Sequence, residues 1–106
     1  MIDINEIIVL YDSGAATLTQ HFLDSIGKRG IIFDDIESAI SSGEIIEQYP
    51  NDYPHPSALI LGYTNNKTPL HAVIGVGGRF VWLITAYFPD PEKWESDLKT
   101  RKVVSQ

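Results

Sequence analysis

Hydrophobic residues recur at every second position through much of the later half of the chain, and at every third or fourth position in the earlier half. In Pro69–Val76, Leu70, Ala72, Ile74 and Val76 alternate with His71, Val73 and Gly75, the period of a strand with two unlike faces. From Phe80 to Phe88, Phe80, Trp82, Ile84, Ala86 and Phe88 alternate with Val81, Leu83, Thr85 and Tyr87. Both faces of that segment are largely apolar, which predicts an internal strand covered on two sides. Ser57–Thr64 is another apolar run. Asn65-Asn66-Lys67 separates it from the next strand, and Gly77-Gly78 reads as a hairpin turn that needs positive φ. The three runs predict an antiparallel meander. Glu44–Tyr49 adds a short fourth strand at the outside, and Pro50–Pro56, with three prolines in seven residues, is a loop.

Helical spacing comes first in the chain. Ile4, Ile7, Ile8 and Tyr11 share one helical face, with Asp3 near the start and Gly14 at the end. Thr17 or Thr19 can cap a second helix whose apolar stripe is Leu18, Phe22, Leu23 and Ile26. Lys28 and Arg29 suit its negative end and Gly30 stops it. A third helix runs from about Phe33 to Ser42, with Ile36, Ala39 and Ile40 inward; its cap position is Ile32, so Asp35 is the available acceptor. Asp90-Pro91 starts a C-terminal helix through Trp94 and Leu98. The predicted fold is therefore α+β: three N-terminal helices, a four-stranded antiparallel sheet and a C-terminal helix, in a single domain over residues 1–106.

Composition narrows the functional classes. The chain has 106 residues and a net charge of −6. Residues 1–55 carry ten acids against Lys28 and Arg29, whereas residues 56–106 carry four acids and six bases. A nucleic-acid partner would have to meet a local basic patch against this field. The absence of cysteine excludes disulfides and thiolate metal sites and suits a cytoplasmic protein. No apolar run approaches the roughly 20 residues of a membrane span, and the start has no basic segment before an apolar stretch, so neither membrane nor signal peptide is expected. Three scattered histidines make no zinc pattern; no metal or cofactor is expected. The aromatic content, Tyr49, Tyr53, Tyr63, Trp82 and Trp94 among it, favours self-association or a protein partner.

Two clusters carry candidate chemistry. His21 and Lys28 lie seven residues apart on one side of a helix, with Arg29 beside them. A histidine with two cations can bind a phosphate or serve acid–base chemistry in RNA cleavage; the alternative is local packing, with the cations answering the helix dipole. His71 lies on the strand face opposite Leu70, Ala72 and Ile74, where Thr85 and Tyr87 of the neighbouring strand could meet it. Those three could position a phosphodiester, or form a satisfied polar patch. Gly75-Val-Gly-Gly78 lacks the following helix and lysine of a phosphate loop.

Three segments together, His21-Phe-Leu-Asp-Ser-Ile-Gly-Lys-Arg-Gly-Ile31, Asp35-Ile-Glu-Ser-Ala-Ile-Ser-Ser-Gly-Glu-Ile-Ile-Glu47, and Pro69-Leu-His-Ala-Val with Ile84-Thr-Ala-Tyr87, resemble the bacterial family known as domain of unknown function 4258. The resemblance covers about residues 17–98. That family looks like a relative of RelE-type and BrnT-type toxins, small ribonucleases of toxin–antitoxin systems. The resemblance implies His21, Arg29, His71, Thr85 and Tyr87 as the candidate catalytic positions; Lys28, from its spacing to His21 on the helix, is the candidate substrate-binding cation. The resemblance also implies RNA or an antitoxin-like protein as partner. Family members often carry Arg four residues after the first His; here that position is Ser25. The expectation is a toxin-like domain that is weak or inactive as a ribonuclease; a non-catalytic protein-interaction module is the alternative. His21 and Arg29 are expected to approach His71, Thr85 or Tyr87 across the helix–sheet junction, and a homodimer is a further expectation.

Overall fold

The structure, a computed structural model, describes residues 1–103. Helix α1 is Ile4–Asp12, strand β1 is Ala16–Leu18, α2 is Gln20–Arg29 and α3 is Phe33–Ser41. The remaining strands are β2, Glu44–Tyr49; β3, Ser57–Tyr63; β4, Pro69–Gly77; and β5, Phe80–Tyr87. The helix ends follow their local chemistry. Asp3 accepts from the Asn5 N–H at 2.7 Å, Thr19 from the Phe22 N–H at 3.0 Å, and Asp35 from the Ile32 N–H at 3.2 Å. Each satisfies an amide that the first helical turn leaves without a partner. Gly30 ends α2 in the left-handed region at φ 67°.

The sheet corrects the predicted architecture. It has five strands in the order β1-β5-β4-β3-β2, and β1 pairs with β5 in parallel; the four-stranded, wholly antiparallel sheet is not what forms. Strand β5 is internal, but its outer cover is β1. Strand β2 takes the opposite edge, antiparallel to β3. Three residues are too few to show a period, and Ala16–Leu18 acquires its strand state from β5. The Val81 N–H donates to the Ala15 carbonyl at 2.9 Å, and the Thr19 hydroxyl donates to the Leu83 carbonyl at 2.9 Å. Thr19 thus both closes the parallel seam and caps α2. The β4–β5 hairpin turns at Gly78-Arg79, both at positive φ, so Gly77 ends β4 rather than sitting in the turn.

All three helices cover one sheet face. Ile7, Phe22, Ile26, Ile36 and Ile40 meet Ile60, Leu70, Ile74, Val81 and Leu83 in one apolar core. Helix α3 sits very close to β3 because Gly62 has no side chain: a Cβ there would fall 1.9 Å from the Ala39 carbonyl oxygen. Ser38 donates to the Tyr63 carbonyl at 2.8 Å, and Ser42 accepts the Tyr63 N–H at 2.9 Å. No helix among the described residues is long and apolar enough to cross a membrane.

The predicted C-terminal helix is also overturned. Asp90 accepts the Glu92 N–H at 2.9 Å and its carbonyl accepts from Lys93 and Trp94, but the turn does not propagate. Asp97 instead gathers the Lys99 N–H at 2.8 Å, the Thr100 N–H at 3.0 Å and the Thr100 hydroxyl at 2.9 Å. Such side-chain bonds compete with helical ones. Leu98 takes φ 61°, the chain reverses, and Trp94 bridges Arg101 in antiparallel fashion. Residues 90–101 form a strap that crosses the sheet face opposite the helices and buries Trp94 there.

Candidate functional site

His71 stands at the centre of that second face. Its place in β4, between the inward Leu70 and Ala72, turns the ring away from the helical core. Register sets Leu61 of β3 and Tyr87 of β5 on either side. The strap completes the enclosure, and the side chain is fully buried. Its Nε2 lies 2.8 Å from the Leu98 carbonyl and its Nδ1 3.3 Å from the Tyr87 hydroxyl. A carbonyl can only accept, so Nε2 carries the proton and Nδ1 accepts from Tyr87. Trp94 meets the ring edge-on at 4.6 Å between centroids. Burial pushes the His71 pKa down and the Tyr87 pKa up, because neither can charge easily without water.

Glu47 of β2 lies at the strap's other anchor. Arg101 forks onto it, with Nε at 2.8 Å and Nη2 at 2.9 Å, the planar geometry that makes this pair directional. The Tyr49 hydroxyl donates to the same carboxylate. Hydrogen bonding from Arg101 holds the Glu47 carboxyl below its ordinary range, while burial, then the Glu47 bond, pushes the Tyr49 phenol up to about 12. The Arg101 guanidinium also lies 4.7 Å from the Trp94 ring centroid, a cation–π contact. Lys99 pairs with Glu44 at 2.8 Å.

Beside this group, Arg29, Tyr87, Phe88, Asp90, Lys93, Trp94 and Arg101 line a cleft of about 390 Å³. Three cations, one of them paired with Glu47, one carboxylate and three aromatic residues converge there on a protein whose net charge is −6. Arg29 reaches the cleft from the last turn of α2, where its Nη1 also donates to the Ser25 carbonyl at 3.1 Å.

The residues singled out from sequence are divided by the structure. His71 and Tyr87 are hydrogen-bonded, and Arg29 shares the cleft with Tyr87. Thr85 meets α2 through Ser25, hydroxyl to hydroxyl at 3.0 Å. Ser25 is buried there, so this position of α2 is filled by a small polar contact with β5. His21 and Lys28 lie on the exposed face of α2; no hydrogen bond joins either to the His71 group among the described residues. His55 stacks on Trp82 at 5.2 Å and belongs to the loop's packing on β5. Sequence reasoning missed Glu47, Tyr49 and Arg101. Glu47 and Arg101 are 54 residues apart and meet only because the strap reverses; the cue, a basic residue following Asp97-Leu98, does not point to β2. Among the described residues no group of three or more acidic or histidine side chains is placed to hold a metal ion.

A family model described as a domain of unknown function, DUF4258, matches residues 18–88. The match spans α2 through β5, includes Glu47, His71 and Tyr87, and stops before the strap. No curated protein and no solved structure matches the chain.

Proposed function

The chain belongs to the DUF4258 family, and on that premise we propose that it is a toxin-like, RNA-interacting domain with weak or absent ribonuclease activity. The observation that carries this reading is the cleft around Tyr87, where Arg29 and Lys93 stand beside Phe88 and Trp94, and Arg101, already paired with Glu47, lines the same cleft. Guanidinium and ammonium groups neutralise backbone phosphates, and aromatic faces stack on unpaired bases. A cationic cluster in an acidic protein concentrates a local attraction that the overall charge opposes.

Weak or absent cleavage follows from three features. Metal-free RNA cleavage needs a base, an acid and a cation aimed at the developing phosphorane charge. His71 is sealed and both ring nitrogens are occupied. Thr85 is held by the Ser25 hydroxyl rather than by a cation. His21 is solvent-exposed, but is not joined to the Tyr87 cleft.

Fluorescence binding to single-stranded RNA at low salt tests the reading, alongside cleavage assays with RNA and ribosomes. Wild type is expected to bind and to leave RNA almost intact. Arg29→Ala should weaken binding about uniformly across RNA sequences and lower the salt-dependence slope by about one, the effect of losing one phosphate contact. Absence of binding by wild type at low salt sinks the proposal.

A protein-interaction module is the second reading, favoured by one feature. Val9 is 65% exposed on α1, beside a broad hollow lined by Leu10, Val76 and Gly77. Growth unaffected by induced expression, together with no RNA binding, would favour it.

A further inference from the structure

The strap meets the sheet as a ligand meets a receptor. Its contacts concentrate in a few anchors: Trp94 against His71, the Leu98 carbonyl on Nε2, Arg101 on Glu47 and Lys99 on Glu44. Of residues 90–101, only Trp94 is buried and only Leu98 half-buried. The receptor groups lie on β2 and β4, inside the span matched by the family model, whereas the strap lies beyond it. The charges are complementary, cationic anchors on an acidic edge. The strap, whose first turn opens on Asp90-Pro91, is joined to β5 through Phe88-Pro89. Pro89 restricts the residue before it to extended backbone, so this connection acts as a short spacer, and the strap beyond it closes on itself through Trp94–Arg101. A self-closed segment, held by few anchors behind an extended spacer, can leave its seat as one piece.

We propose that the seat receives this strap from a second copy of the chain as well as from its own. Exchange of an identical element keeps every contact seen here while joining two molecules. In the exchanged dimer, Trp94, Leu98 and Arg101 of one copy close the His71 pocket of the other, so each site is built from two chains. Among partners other than its own strap, a second copy is the occupant the geometry favours, because its strap carries the same anchors seen to fit within one chain. The inference does not depend on RNA binding, since it concerns only strap and seat.

A reciprocal charge exchange in the full chain tests it. Glu47→Arg sets its own Arg101 against a cation, and Arg101→Glu sets its own Glu47 against an anion, so each variant repels its strap in cis. Mixed in equal amounts, both straps match the other chain's seat. Light scattering should give the monomer mass for each variant alone and twice 11.8 kDa for the mixture. A mixture of folded variants that stays at monomer mass overturns the proposal. Should either variant fail to fold, single cysteines at the exposed pair Glu44 and Lys99 replace them, the chain having no cysteine of its own. Oxidation of mixed Glu44→Cys and Lys99→Cys chains should give a heterodimer well above the half share of random pairing. A statistical mixture, or no cross-link, overturns it.

Discussion

His71 couples the chain's stability to pH. Its pKa is lowered from the ordinary 6.5 by burial, so the unfolded chain binds a proton more readily than the folded one. Stability is then fully present above about pH 6.5 and falls as the pH drops below that value toward the folded pKa. Charging the ring would also remove the lone pair that accepts from Tyr87. Denaturant titrations between pH 5 and 8 should show this loss in wild type and lose most of it in His71→Phe, with Glu47 contributing only at lower pH because its own pKa is depressed. A wild-type profile parallel to that of His71→Phe would refute the assignment. The alternation of Pro69–Val76 was enough to place His71 away from the core. Its partner, a backbone carbonyl 27 residues on, left no mark in residue types.

Elements divide by whether their cause is local. The stop at Gly30, a cap at Thr17 or Thr19, the stripes of α1 and α3 and the β3–β4–β5 runs could be read directly, because each depends on neighbours within a few residues; the predicted α2 stripe holds only at Phe22 and Ile26, since Leu18 falls in β1 and Leu23 is exposed. Strand β1 could not, since its partner is the carbonyl ladder of β5. The C-terminal turn misled because Asp90-Pro91 signals a helix start while Asp97, further along, diverts the chain. Two predictions belong here. Thr19→Ala removes both the α2 cap and the bond to Leu83, and should cost about 1–2 kcal/mol in chemical denaturation. Gly62→Ala should cost more, about 3 kcal/mol or above, because the added methyl meets the Ala39 backbone rather than a side chain that can turn aside. A Gly62→Ala protein as stable as wild type would mean that α3 can lift from β3 without loss.

The whole molecule is a sheet covered by helices on one face and, at the His71 end, by a strap on the other. The first cover buries many apolar side chains; the second rests largely on Trp94, which is 4% exposed. Trp94→Ala should lower stability by roughly 3 kcal/mol, and it should expose His71 to a histidine-modifying reagent while β3 and β4 amides stay protected from exchange. Protection of His71 in that variant would show that the strap holds without its indole. The covalent order of the chain hides this architecture, because the two covers come from opposite ends of the sequence.

The parallel seam also dictates when this protein can be finished. Thr19 and Leu83 are 64 residues apart, so closing the seam carries a loop-closure cost that the β3–β4 and β4–β5 hairpins, with their short turns, do not. On the ribosome the chain is made from its first residue onward. The segment that becomes β1 emerges early and has no strand to pair with until β5 follows almost the whole domain later. Its edge, and the apolar stripe of α2 behind it, wait without their sheet through most of synthesis. Nascent chains arrested before Leu83 lack the strand that orders their own beginning, and are the lengths at which this protein most needs protection from aggregation.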